Sequence, residues 1–178
     1  MKDKLLLHAC CGLCSSAIIE EYHKYFDITL YYYNPCITNA DEYYKRAEEL
    51  NRIVSELSLE NEVRVYIENN DTDAFYKMVK GLENQPECGA RCYHCYKQRL
   101  EKTAEFAKRY NYNYFTTTLT ISPYKNSATI NNIGINVAHK YKVFYMSFDF
   151  GYLYPRSLEL CEKYNIYQQN YCGCEYSK

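Results

Sequence analysis

The stretch HACCGLCSS at residues 8–16 sets Cys10, Cys11 and Cys14 close together, directly after a run of three leucines. A second close pair, Cys92 and Cys95, stands in RCYHCY, and a third, Cys172 and Cys174, in YCGC. Thiolates spaced in this way ligate soft metals, form disulfides or carry redox chemistry. Cys11 with Cys14 and Cys92 with Cys95 make two C-x-x-C pairs, the pattern of a four-thiolate zinc site. A closed zinc site leaves Cys10 over, and an adjacent Cys-Cys pair strains to put both sulfurs on one small ion. Two neighbouring sulfurs more easily serve different irons of a cluster, or a cluster and a second metal. Soft donors from separated segments therefore point to a buried, redox-capable metallocentre. Two other readings stay open at this level: a non-catalytic four-thiolate zinc domain that binds RNA, and a thiol–disulfide oxidoreductase using Cys11 and Cys14.

The rest of the chain limits what can surround such a centre. At 178 residues it is long enough for one domain with a real core, expected over 1–178. A net charge of -1, from 21 Lys plus Arg against 22 Asp plus Glu, carries no global basic excess, so any nucleic acid would need a local patch. No stretch reaches the length of a membrane span, and MKDKLLLHACCG lacks the features of a signal peptide, so a cytoplasmic protein is expected. In that compartment ten cysteines are metal-binding or catalytic rather than disulfide-bonded.

Strand and helix patterns alternate along the chain. KLLLHAC (4–10) reads as a strand buried on both faces, and SSAIIEEYHKYF as a helix capped by Ser15 or Ser16. Strands follow at 27–34, 62–68, 114–120 and 143–148, and helices at 41–57, 73–82, 91–110, 127–141 and 155–165. This order predicts an α/β fold, a Rossmann-like three-layer sandwich with a mainly parallel sheet of about five strands. Sites in such folds gather beyond the C-terminal ends of the strands. There the first, second and fourth strands run into CCGLCS, NPCITN and TISPYKN, which places the metal site. Cys14, Cys92 and Cys95 fall near helix N-termini, where the dipole favours thiolate, and a spacing of three puts the latter two on one face. YCGC can fold back over the crevice. Cys161 reads as a small core residue, Cys36 and Cys88 as loop thiols that are either incidental or extra thiols near the site, and neither His8 nor His94 receives a role.

The segments LLLHACCGLCSS, YYYNPCI, KGLENQPECGARCYHCYKQRLEKTAEFA, YFTTTLTISPYKN and YCGCEYS together resemble the QueH-type epoxyqueuosine reductases over essentially the whole chain. The resemblance implies reduction of epoxyqueuosine to queuosine at the wobble position of tRNA, without cobalamin. It also implies a 4Fe-4S cluster on Cys10, Cys11, Cys92 and Cys95, with a second mononuclear metal, expected to be iron, beside it at Cys14. Leu13 stands where members usually have Pro, Cys36 where Asn is common, and Cys88 where Gly is more usual. The implied partners are tRNA with a queuosine-type anticodon and a low-potential electron donor such as ferredoxin or flavodoxin.

Turning an epoxide into an alkene consumes two electrons and two protons and releases the oxygen as water. Asp149, Cys172 and Cys174 are the candidate proton donors, while the catalytic role of Cys14 is at the second metal. The anionic substrate calls for cations and aromatic surfaces near the crevice, for which Arg91, Lys97, Arg99 and Lys125 are candidates. Lys125 and Asn126 begin a helix, a natural anion site, and Arg156 with Ser157 begin the last helix. Tyr33 or Asn34 should lie nearest the crevice at the end of the second strand.

Overall fold

A computed structural model of the chain describes residues 2–177; residues 1 and 178, the ends of the expected domain, lie outside the described set. With Leu5, Leu6 and Leu7 in succession, β1 (Asp3–His8) has no polar face to offer water and lies at the centre of the sheet, covered on both sides. The chain continues through α1 (Gly12–Tyr22), β2 (Phe26–Tyr32), α2 (Ala40–Glu56), β3 (Val63–Ile67) and α3 (Thr72–Val79). Then come α4 (Ala90–Arg109), β4 (Tyr114–Thr117), α5 (Ser127–Tyr141), β5 (Phe144–Tyr145) and α6 (Tyr154–Lys163). The five strands are all parallel, in the order β3-β2-β1-β4-β5. This is the α/β architecture expected from the alternation.

Strand alternation divides the core into two layers. Leu5 and Leu7 of β1 and Ile28, Leu30 and Tyr32 of β2 pack with Ile18, Leu50 and Leu160 of α1, α2 and α6. Leu6, Tyr31 and Phe115 pack on the other side with Leu100, Ala104, Ile130 and Val137 of α4 and α5. Gly134 lets α5 lie directly on β5, since a Cβ there would run into the Tyr145 ring. The strand order reverses between β1 and β4, the switch point at which open α/β sheets form their ligand crevice. Among the described residues, no helix is long and apolar enough to cross a membrane.

Three local details differ from the sequence reading. Helix α1 starts at Gly12 and is capped by Cys11, whose sulfur accepts from Cys14 N–H at 3.3 Å. Ser15 and Ser16 lie inside the helix and donate back to the carbonyls of Cys11 and Leu13. β4 ends at Thr117 because its hydroxyl accepts from Leu119 N–H and starts a 3-10 turn over Thr118–Ile121. β5 is only Phe144–Tyr145: beyond it, one main-chain bond from Met146 to Phe115 and the Thr116 hydroxyl on the Met146 carbonyl end the pairing.

Candidate metal centre

Because α1 begins immediately after β1, the chain turns at Cys10–Cys11 and period-two alternation stops there. The sulfurs of Cys10 and Cys11 consequently lie 3.7 Å apart, and those of Cys10, Cys11 and Cys14 all lie within 4.8 Å of one another. Metal–sulfur bonds of about 2.3 Å in a tetrahedron require sulfurs about 3.8 Å apart. The spacing of the adjacent pair is thus also compatible with a single tetrahedral centre. The Thr118 hydroxyl donates to the Cys10 sulfur at 3.4 Å and accepts from the Cys10 N–H at 3.3 Å. Gln169 Nε2 donates to the Cys11 sulfur at 2.8 Å.

Five further thiols arrive from three other segments. Cys36 follows β2, and its buried thiol and that of Cys95 on α4 directly perturb one another. Cys92, one turn earlier on α4, accepts from the Cys88 N–H at 3.3 Å. Cys172 and Cys174 fold over this pair, close enough for Cys172 to be felt electrostatically by Cys36, Cys92 and Cys95. The tail is therefore part of the crevice. Within each group one sulfur is favoured as thiolate. Cys10 is held well below the ordinary thiol range by hydrogen bonds from Cys11 and Cys14, helped by Lys125 and Thr118. Burial and Cys10 push Cys11 up to about 12, and Cys10 pushes Cys14 up as well. The Cys95 thiol lowers Cys36 to about 7, and the Cys174 thiol lowers Cys172 to about 5 while its own value rises.

Two arginines hold the tail in place. Arg46 of α2 donates to the carbonyls of Tyr171 and Cys172, both at 3.2 Å, and to Glu42 at 2.6 Å. Arg91 of α4 donates to the Tyr176 carbonyl at 3.1 Å and to those of Glu83 and Gln85. Each side chain is 2 % exposed. Arg91, read from the sequence as a substrate contact, is thus an internal anchor whose Nη groups already hold main-chain carbonyls. Between the two cysteines Gly173 has φ +99°, and a Cβ there would stand 2.6 Å from Ile37.

The other expected site residues fall in different places. Lys125 lies beside the strand-borne thiols: burial opposes its charge, but Cys10 and Cys14 hold its pKa above the ordinary value. Asn126 caps α5 by accepting from Thr129 N–H at 2.8 Å. Asp149 is exposed, accepting from the Ser127 hydroxyl at 2.8 Å and the Gly151 N–H at 3.0 Å, and these bonds close a loop. Arg156 grips Glu20 and Glu159 on the surface rather than facing the thiols. Asn34 does lie at the crevice, donating to the Ala9 carbonyl at 2.9 Å and accepting from Arg99 at 3.2 Å. Arg99 is buried beneath the thiols, whereas Lys97 is exposed.

His8 is structural: its ring is held between the Thr117 hydroxyl and the Tyr33 carbonyl, and burial, with Arg99 adding to it, lowers its pKa to about 4. The neutral ring therefore donates from Nε2 to the carbonyl and accepts at Nδ1. Cys161 lies in the core, as expected. Of the two readings the sequence leaves for Cys36, the structure supports an extra thiol near the site; Gln169 is not marked by the sequence. NPC directly follows the second strand, whereas Gln169 comes from the far end of the chain.

Fold and thiols together define a Rossmann-like α/β protein with a soft-donor metal site, and the all-sulfur donor set and its spacing fit a thiolate-ligated metal or cluster. A family model described as Epoxyqueuosine reductase QueH matches residues 5–178. The chain is 41% identical to the protein named Epoxyqueuosine reductase QueH in Streptococcus pyogenes serotype M1, over 181 residues covering 99% of this chain and 71% of the relative. A protein of the same name in Staphylococcus epidermidis is 40% identical over 182 residues, covering 99% and 76%. Another, in Thermotoga maritima, is 33% identical over 175 residues, covering 97% and 89%. The chain belongs to the QueH family of epoxyqueuosine reductases.

Proposed function

We propose that this chain reduces epoxyqueuosine to queuosine at the wobble position of tRNA. In this reading Cys10, Cys11, Cys92 and Cys95 hold a 4Fe-4S cluster, and Cys14 faces a second mononuclear metal, iron. The observation that carries the proposal is the convergence of the Cys10, Cys11 and Cys14 sulfurs at the switch point of the sheet, in a chain of this family. When bound, such a centre supplies electrons one at a time and a Lewis acid for the epoxide oxygen.

The protein's own groups do the rest. Thr118 and Gln169 orient the sulfurs of Cys10 and Cys11 through the hydrogen bonds described above. Cys172 and Cys174 lie at the crevice as candidate proton donors; the Cys172 sulfur raises the Cys174 pKa, so Cys174 holds its proton tightly and stays neutral there. Lys125 keeps a positive charge beside Cys10 and Cys14 and meets an anionic substrate there; Asn126 follows it at the head of α5. The balance is two electrons and two protons taken up, both carbon–oxygen bonds of the epoxide broken, and water released. A donor of the ferredoxin or flavodoxin class provides the electrons.

The test is anaerobic reconstitution with iron and sulfide, then incubation with tRNA carrying epoxyqueuosine and a low-potential reductant. Nucleoside mass spectrometry should show queuosine replacing its epoxide. A protein with an intact cluster spectrum that leaves the epoxide untouched would contradict the proposed reaction.

A further inference from the structure

Three arginines are almost fully enclosed, and they differ in what neutralises them. Arg46 has Glu42 at 2.6 Å, and Arg91 lies among three main-chain carbonyls. Arg99 is 4 % exposed, and among the described residues no carboxylate lies within ion-pair distance of it. Its hydrogen bonds go to neutral acceptors, Asn34 Oδ1 at 3.2 Å and the Cys95 carbonyl at 3.5 Å. The ring of Tyr96 lies 5.5 Å from its guanidinium carbon. A buried cation is costly unless it is well solvated or paired: Arg91 has three main-chain carbonyls, whereas Arg99 has only two longer bonds to neutral acceptors, so an anion is what would complete it.

The surroundings identify that anion. Asn34 is pinned to the end of β1 through the Ala9 carbonyl, and it holds Arg99 beneath the crevice. Cys95, Cys36 and Cys10 all lie within electrostatic reach of the guanidinium. Thiols from three different segments thus share the electrostatic neighbourhood of one fixed cation.

We propose that Arg99 is the built-in countercharge of the thiolate centre, a positioning residue that makes the centre easier to reduce without touching substrate. The inference rests on the thiols holding a redox metal centre, not on the identity of the substrate. A cation close to a cluster stabilises its more negative, reduced form and so raises its potential.

Two measurements test this with Arg99→Met, which keeps bulk and removes charge, and Arg99→Lys, which keeps charge. In the reconstituted protein, spectroelectrochemistry should place the midpoint potential of Arg99→Met below that of the wild type, with Arg99→Lys restoring most of the difference. In the metal-free protein, which lacks the charge of the cluster, Arg99→Met should melt at the same temperature as the wild type or higher. Equal potentials in wild type and Arg99→Met would overturn the proposal. So would a metal-free Arg99→Met that melts several degrees lower, because Arg99 would then be an ordinary structural donor. The metal-free arm decides the matter even if no cluster assembles, an outcome that would count separately against the proposed cofactor.

Discussion

Cys10, Cys11 and Cys14 ride on the junction of β1 and α1, whereas Cys172 and Cys174 lie in a tail with only a short 3-10 turn after it. The first set inherits its position from the central strand, buried on both faces, and from a helix whose first N–H donors one of the thiols itself caps. The second set is held from outside by Arg46 and Arg91 and by the left-handed Gly173. Thiols placed by the sheet should be lost only with the fold, while tail thiols should be separable from it by local change.

This contrast can be broken at several points, the largest effect first. Cys10→Ser or Cys95→Ser should abolish iron uptake, read as iron and acid-labile sulfide per chain, while the apoprotein still folds by circular dichroism. Leu7→Ala, beneath the strand-borne thiols, should cost about 2–5 kcal/mol of global stability and expose every buried thiol in one cooperative transition, measured by denaturant-dependent alkylation. Gly173→Ala forces a side chain into the left-handed region and against Ile37, costing about 1–3 kcal/mol. Its effect should be confined to the tail: Cys172 and Cys174 should alkylate faster while Cys11 and Cys14 stay protected. Arg156→Ala should change stability by less than about 1 kcal/mol, because its ion pairs with Glu20 and Glu159 are exposed; a thermal melt checks it. Simultaneous exposure of all thiols in Gly173→Ala would erase the distinction between the two regions.

The same contrast explains what could be read from sequence. Strand and helix periods marked every main element, and βα alternation was enough for the parallel sheet and the crevice at its C-terminal ends. The close cysteine pairs were local signals too. Features made by distant segments escaped: the Cys36–Cys95 pair, Gln169 on the Cys11 sulfur, and Arg46 beneath the tail. A basic residue beside a C-x-x-C unit, such as Arg91, reads equally as a phosphate contact or as an anchor, and only its burial on three carbonyls decides. Cys11 as helix cap was likewise hidden behind two serines, better caps by type, that fall inside the helix.

The central claim is that these thiols assemble a redox iron centre rather than a closed zinc site. Mössbauer spectroscopy of the anaerobically reconstituted protein, with zinc quantified in the same sample, tests it most directly. The account predicts 4Fe-4S cluster iron in the wild type, lost in Cys95→Ser and kept in Cys172→Ser. A colourless wild-type protein that holds zinc and no cluster iron would contradict it.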